Sequence, residues 1–401
     1  MVRELAISLY LVVFNCVFSI FKLLPLKNKT TFVISFGDNS QYIFAEMRRQ
    51  NIQTEVVFLC NQQALAKFKD YDDVTILPFE KSHFLDWFRS IYHLATSRHL
   101  FIDNYFGFLA AVNFKKDVRC IQLWHASGAM KKFGLEDESV KDRSAKAKQR
   151  FLKVYSKFDQ VVVGSDVMAD IFMKSFQLKK ETILTTGVPR TDFFFNEKEK
   201  QKSRASLALK HPAILAKKVI LYAPTYRDHE LDYFTLKLDV EKMVRELGDD
   251  YLLILRLHPA IKNSVQFSNR HPNFVVDLSS SQYEINDLLA TADYLITDYS
   301  SIPYEFSLLR KPIIFFTYDL EAYKKARGIS EGFEENLPGP LVRETAAIID
   351  LIKNDRFDLQ VVDYYAEKWN KYSKGHSSQN LVCKIFAEEQ FLKATARGRL
   401  R

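Results

Sequence analysis

A repeated alternation constrains the fold of this chain more than any other feature. Short, near-continuously apolar runs alternate with segments whose apolar residues recur at helical spacing. In the first half the runs are "TTFVISFG" (30–37), "TEVVFLC" (54–60), "VTILPF" (74–79), "HLFID" (99–103), "VRCIQLWH" (118–125) and "FDQVVVGS" (158–165). A helical segment from about Gln41 to Gln50 and "SHFLDWFRSIYHLATS" fall between them. Runs that are apolar at both parities belong to strands covered on both faces, which predicts a parallel, doubly wound sheet. The stretch from 197 to 218 is lysine-rich and lacks a strand pattern. Alternation then resumes with "KKVILYAPTYRD", "YLLILRLHP", "FVVDLS", "DYLITDYSS" and "KPIIFFTY", with "LDVEKMVREL", "INDLLATA" and "IPYEFSLLR" as helices. The expected division is a helix over 1–26, an α/β domain over 27–200, a second over 201–361, and helices over 362–401 that return to the first domain. No internal sequence repeat is visible.

The N-terminal segment carries no charge from Leu5 to Phe21, but its polar residues are ordered. Glu4, Ser8, Asn15, Ser19 and Lys22 fall on one helical stripe, apolar residues cover the rest, and Pro25 stops the helix. An interfacial or docked helix, a core helix and a membrane span all match that pattern. A secretory signal does not, because the start is Arg3-Glu4 and no small-residue cleavage site follows.

The net charge of +8 favours anionic partners: a membrane surface, nucleic acid or a phosphorylated substrate. The basic positions concentrate between Lys131 and Lys157 and in "KATARGRLR" (393–401). The first run reads as a solvated helix face that can also meet anionic lipid. No RRM, helix-turn-helix or aromatic-interleaved basic motif is present, so nucleic acid is not expected. The four cysteines are scattered without CxxC spacing, which predicts free thiols and no structural zinc. "DYDD" (Asp70–Asp73) has DxD spacing but precedes a strand, so it reads as a solvated turn. No metal and no cofactor are expected.

The unusual polar residues follow directly after strands. They are His125; Thr225 to Arg227; Arg256 and His258; and Asp298 to Ser301. In doubly wound sheets the carboxyl ends of the strands carry the ligand site. Each also has a plainer reading. Ser300 or Ser301 can simply cap the next helix, or can aim its first amides at a phosphate. His258 can end a strand before a proline turn, or with Arg256 neutralise a phosphate. His125 can bond a loop carbonyl or act as a general base, and the small Ala126, Ser127 and Gly128 would leave open space beside its ring.

Five separated motifs then occur in order: "LWHASGAMKKFG", "LYAPTYRD", "LRLHP", "LITDYSSIPYEF" and "GFEENLPGPLV". Together they resemble the CDP-glycerol glycerophosphotransferase family of teichoic acid synthesis over about residues 30 to 385. The "WHA-x-G" form and the chain length are similar to its primase branch; the polymerases more often read "WHGTP-LKK" and carry an extra N-terminal region. The resemblance implies a GT-B fold, two Rossmann-like domains facing a cleft. It implies transfer of glycerol phosphate from CDP-glycerol to the ManNAc of an undecaprenyl-diphosphate-linked ManNAc-GlcNAc disaccharide, with release of CMP, at the cytoplasmic face of the cell membrane. It leaves room for other teichoic acid enzymes as partners.

By the same resemblance His125 and His258 match the family's catalytic histidines. Arg256, Thr225, Ser300 and Ser301 stand where the donor diphosphate is expected, and Arg227 and Asp298 are expected among the substrate-binding residues. His376 and Ser377 match a segment before the last helix whose start differs here. Ser127 and Gly128 depart from the polymerase pattern, which makes the acceptor the point of difference. A polymerase of glycerol or ribitol phosphate, a GT-B nucleotide-sugar glycosyltransferase and a non-catalytic membrane scaffold are the alternatives.

Overall fold

The computed structural model describes residues 2–79, 84–227, 235–258, 261, 270–327, 329 and 332–398. The chain forms two compact units. The first comprises Met1–Ala126, Phe133–Asp192 and Tyr372–Arg401; the second comprises Ser127–Lys132 and Phe193–Lys371.

The first unit holds β1 (Lys27–Ile34), β2 (Glu55–Cys60), β3 (Thr75–Pro78), β4 (Ser97–Ile102), β5 (Arg119–Gln122), β6 (Gln160–Val162) and β7 (Ile183–Leu184). They pair in the order β3-β2-β1-β4-β5-β6-β7, every pair parallel. The second unit holds β8 (Lys218–Ala223), β9 (Tyr251–Leu255), β10 (Val275–Asp277), β11 (Tyr294–Thr297), β12 (Ile313–Phe316) and β13 (Leu341–Val342). Their order is β10-β9-β8-β11-β12-β13, again all parallel.

Both sheets therefore repeat one topology: the first strand lies beside the fourth, and connections leave that pair in opposite directions. This is the switch point of a doubly wound sheet, where strand ends spread and ligands enter. The apolar runs reflect two-sided burial. Phe32 of β1 sits in register with Phe58 and Phe101, its ring stacked 4.9 Å from that of Phe101, and all three are buried. Ile220 of β8 is likewise in register with Leu253 and Tyr294. β7 and β13 have two residues each, too short to leave a legible pattern.

The N-terminal helix Val2–Lys22 docks on the first unit along an aromatic seam. Phe14 packs against Trp87 and Phe108, Phe18 against Phe114, and Phe21 against Tyr92. Arg150 pairs with Glu4 at 3.0 Å. The opposite face is bare: Leu5 is 72% exposed and Leu9 64%. A core helix is excluded by that exposure. Phe84 and Leu85, which begin the helix Phe84–Thr96 beneath it, are also exposed.

The lysine-rich stretch forms the helix Glu197–Lys210, packed in the second unit against Ile285–Thr291. The helix Leu359–Trp369 also belongs to the second unit. The final helix, Ser377–Gly398, lies in the first, where Leu381, Val382, Ile385 and Phe386 enter the core. "DYDD" forms an exposed turn before β3. Lys146, Lys148, Arg150 and Lys153 of the first basic run lie on the helix Ala145–Tyr155. Arg399 and Arg401 lie outside the described residues.

Candidate active site

In the first unit the switch point is built around Asp103, the residue directly after β4. Its carboxylate is buried and accepts the backbone N–H groups of Ser35, Phe36 and Gly37, each at 2.8 Å. Those residues follow β1 directly. Burial pushes the Asp103 carboxyl up, while the three amides pull it down. Gly37 has φ +88, a left-handed conformation that turns the chain into the helix Asp38–Arg49.

His125 stands just beyond β5. The preceding Trp124 has φ +56, an outlier for a bulky residue and one that costs about 1–3 kcal/mol unless its surroundings hold it. They do. The Trp124 N–H donates to Gln122 Oε1 at 2.8 Å, and Asn39 Nδ2 donates to its carbonyl at 2.9 Å. Its indole is packed by Phe133, Phe172 and Phe176. The left-handed step leaves the His125 imidazole against two aromatic planes, 4.4 Å from Phe36 and 4.7 Å from Trp124. Its Nδ1 is buried and unpartnered among the described residues. Burial pushes the imidazole down to about 4, and Arg190 adds to this, against the Asp103 carbonyl and Asp38. The ring is thus neutral at neutral pH, below the near-neutral range expected of a free histidine.

Ser127 and Gly128 do not leave open space. Ser127 Oγ donates to the buried Glu305 carboxylate at 2.6 Å. A Cβ on Gly128 would lie 2.4 Å from the Tyr304 ring. Lys131 Nζ donates to the Tyr323 hydroxyl at 2.6 Å. The segment Ser127–Lys132 therefore belongs to the second unit as a strap, and glycine is required because an aromatic ring of the same unit fills the position.

The second unit repeats the clamp at its own switch point. Asp298, directly after β11, is buried and accepts the N–H groups of Thr225 at 2.8 Å and Tyr299 at 2.6 Å. Arg227 pairs with Asp298 at 3.0 Å and bidentately with Asp319 at 2.8 and 3.0 Å. The Tyr299, Tyr318 and Tyr323 rings surround its guanidinium. Burial works against the Arg227 charge, but the two carboxylates outweigh it and raise its pKa. Thr225, Arg227 and Asp298 are thus one buried network that shapes the loop.

Ser300 Oγ lies 2.9 Å from Thr297 Oγ1 and accepts weakly from the Ile302 N–H at 3.4 Å. Ser301 occupies the cap position of the helix Ile302–Phe306 without a side-chain bond. Arg256 Nη1 donates to the Leu278 and Ser280 carbonyls, which fastens the loop after β10. His258 is exposed, and its ring lies 4.5 Å from Tyr226. Burial of the ring and the Arg256 charge lower its pKa.

His376 is exposed, and Ser377 opens the last helix. The N–H groups of Ser377 and Ser378 donate to the two oxygens of Asp192 at 2.7 and 2.8 Å. No described contact joins either residue to His125. Sequence reasoning missed Asp103, Phe36 and Glu305. The first had a signal: "LFID" and "LITD" each end the fourth strand of their sheet on aspartate.

Gly128→Ala is expected to cost about 1–3 kcal/mol, because the buried Tyr304 ring has little room to yield. Urea unfolding measures it, and an unchanged midpoint contradicts the packing account.

The family described as CDP-Glycerol:Poly(glycerophosphate) glycerophosphotransferase matches residues 16–387. The chain is 36% identical over 381 residues to the teichoic acid glycerol-phosphate primase of Bacillus subtilis (strain 168), covering 95% of this chain and 97% of that one. It is 30% identical to the teichoic acid poly(ribitol-phosphate) polymerase of Bacillus spizizenii (strain ATCC 23059 / NRRL B-14472 / W23), covering 97% of this chain and 61% of that one. The wall teichoic acid polymerase TagF superposes with a TM-score of 0.78 at 26% identity, covering 97% of this chain and 99% of that one. A histidine-to-asparagine variant of TagF soaked with CDPG gives 0.79 at 25%, with the same coverage. With its two doubly wound parallel sheets, this chain belongs to the CDP-glycerol:poly(glycerophosphate) glycerophosphotransferase family.

Proposed function

We propose that this chain is a teichoic acid primase that moves one glycerol phosphate from CDP-glycerol to a hydroxyl of a lipid-diphosphate-linked disaccharide. The observation that carries this reading is the 36% identity to a glycerol-phosphate primase along nearly the whole of both chains, against 30% to the ribitol-phosphate polymerase.

The reaction balances without a further reactant. The acceptor oxygen attacks the phosphorus bearing glycerol, a P–O bond forms, and the bond to the CMP oxygen breaks. The acceptor proton goes to His125. An alcohol loses its proton only far above neutral pH, so a base in reach is needed. The neutral, stacked imidazole of His125 supports that role. The arriving diphosphate raises the ring's proton affinity, because nearby negative charge favours the imidazolium. His258, exposed beside Tyr226, is the second-unit group assigned to the charge growing on the leaving phosphate. Thr225, Arg227 and Asp298 give the donor loop its shape, and Ser300, Ser301 and Arg256 complete that edge. His376 and Ser377 are assigned to substrate binding only through the family motif.

The N-terminal helix supports action at the cytoplasmic membrane surface. One face is locked by Phe14 and Phe18, and the other presents Leu5, Leu9, Val12 and Val13. Such a helix lies in the interface when cations flank it, and Lys22, Lys153 and Lys157 interact near its end.

Incubation with CDP-glycerol and the lipid-linked ManNAc-GlcNAc acceptor is expected to add one glycerol phosphate per acceptor and release one CMP. Long products would replace the primase reading with a polymerase. His125→Ala is expected to lower turnover by about 10²-fold or more while CDP-glycerol still binds; retained turnover rules out the base assignment. Replacing Leu5, Leu9 and Val12 together by serine is expected to abolish sedimentation with vesicles containing anionic lipid. Unchanged sedimentation would contradict the interfacial role.

A further inference from the structure

We propose that Phe36, held by Asp103, is a positioning residue for His125: a fixed aromatic wall that sets the tilt of the imidazole and keeps water from it. The inference rests on the reading of His125 as the base.

Phe36 is 43% exposed, so its ring contributes little to the core. Its loop is nonetheless held as firmly as a core element. Three consecutive backbone N–H groups, its own among them, bond one buried carboxylate. Burying a carboxylate is unfavourable unless it is well satisfied, and here three amides satisfy it and fix the loop from which the exposed Phe36 ring projects. Among the described residues, the one ring that Phe36 packs against is that of His125, at 4.4 Å and 26°. The same aspartate also turns its backbone carbonyl toward the imidazole. Asp103 therefore governs the ring twice, through its carbonyl and through the wall that its side chain holds.

The charged groups facing His125 are Arg190, from the 3-10 turn Pro189–Phe195, and Asp38, at the start of the helix Asp38–Arg49. These two lie 3.5 Å apart, and Lys67 also pairs with Asp38. Neither depends on Phe36 for its place. Removing the Phe36 ring therefore changes the hydration and freedom of the imidazole and leaves its charged neighbours in position.

The test compares the full chain with Phe36→Ala, Phe36→Tyr, Asp103→Asn and His125→Ala. Turnover of CDP-glycerol with the lipid-linked acceptor is followed from pH 4.5 to 8, with CDP-glycerol affinity and thermal midpoint measured alongside. Phe36→Ala is expected to keep its thermal midpoint and donor affinity, and to lose about 10- to 100-fold in kcat through misplacement of the base. Its acidic limb is expected to move up toward pH 6.5, because a hydrated imidazole holds its proton more readily and is inactive as a base while protonated. Phe36→Tyr restores both, and Asp103→Asn moves them as Phe36→Ala does. Wild-type kcat and acidic limb in Phe36→Ala overturn the proposal. If His125→Ala retains turnover, the base assignment itself fails; if His125→Ala is inactive and Phe36→Ala is unaltered, only the positioning role fails.

Discussion

A buried carboxylate that gathers backbone amides is the interaction on which the rest of this structure depends. In each sheet the fourth strand ends on aspartate, and that aspartate bonds the loop that leaves the first strand. The two strands diverge at the switch point, so without such a bond the loop between them would have no partner for its amides. Asp103 satisfies three N–H groups. Asp298 satisfies two and adds a buried guanidinium. Both make a polar crevice rigid, which functional groups require for reproducible geometry.

The clamps also divide labour among the polar residues. Arg227 is charged and stands in the loop after β8, but Asp298, Asp319 and three tyrosine rings hold it. These contacts hold its side chain within the loop. His125 is the reverse case: half-buried, stacked between two rings, influenced by the Asp103 carbonyl, Arg190 and Asp38, and unpartnered at Nδ1 among the described residues. A strained Trp124 and a strap with glycine against Tyr304 border it on either side in sequence. The strain at Trp124 persists because several independent contacts hold it.

Much of this was legible in the sequence. Runs apolar at both parities identified two parallel sheets, because two-sided burial leaves no polar parity. The positions after strands singled out His125, His258 and the Asp298 loop as candidates, and five ordered motifs gave the family. What remained hidden is three-dimensional. "SG" after His125 read as room for a substrate, and the room is taken by Tyr304. Arg227 read as a substrate-binding residue, and nothing local signals its carboxylate partners, which lie 71 and 92 residues away. Phe36 read as the end of a strand, since nothing local reveals that its ring meets an imidazole far along the chain.

Everything proposed for His125 depends on its imidazole being neutral and desolvated in the free protein. Titration of the 13C-labelled histidine ring by NMR, with His125 assigned by its loss in His125→Ala, tests it most directly. The His125 resonance is expected to stay that of a neutral imidazole from pH 8 down to about 5 and to titrate near 4. A midpoint near 6.5, the value of an imidazole in water, would contradict it.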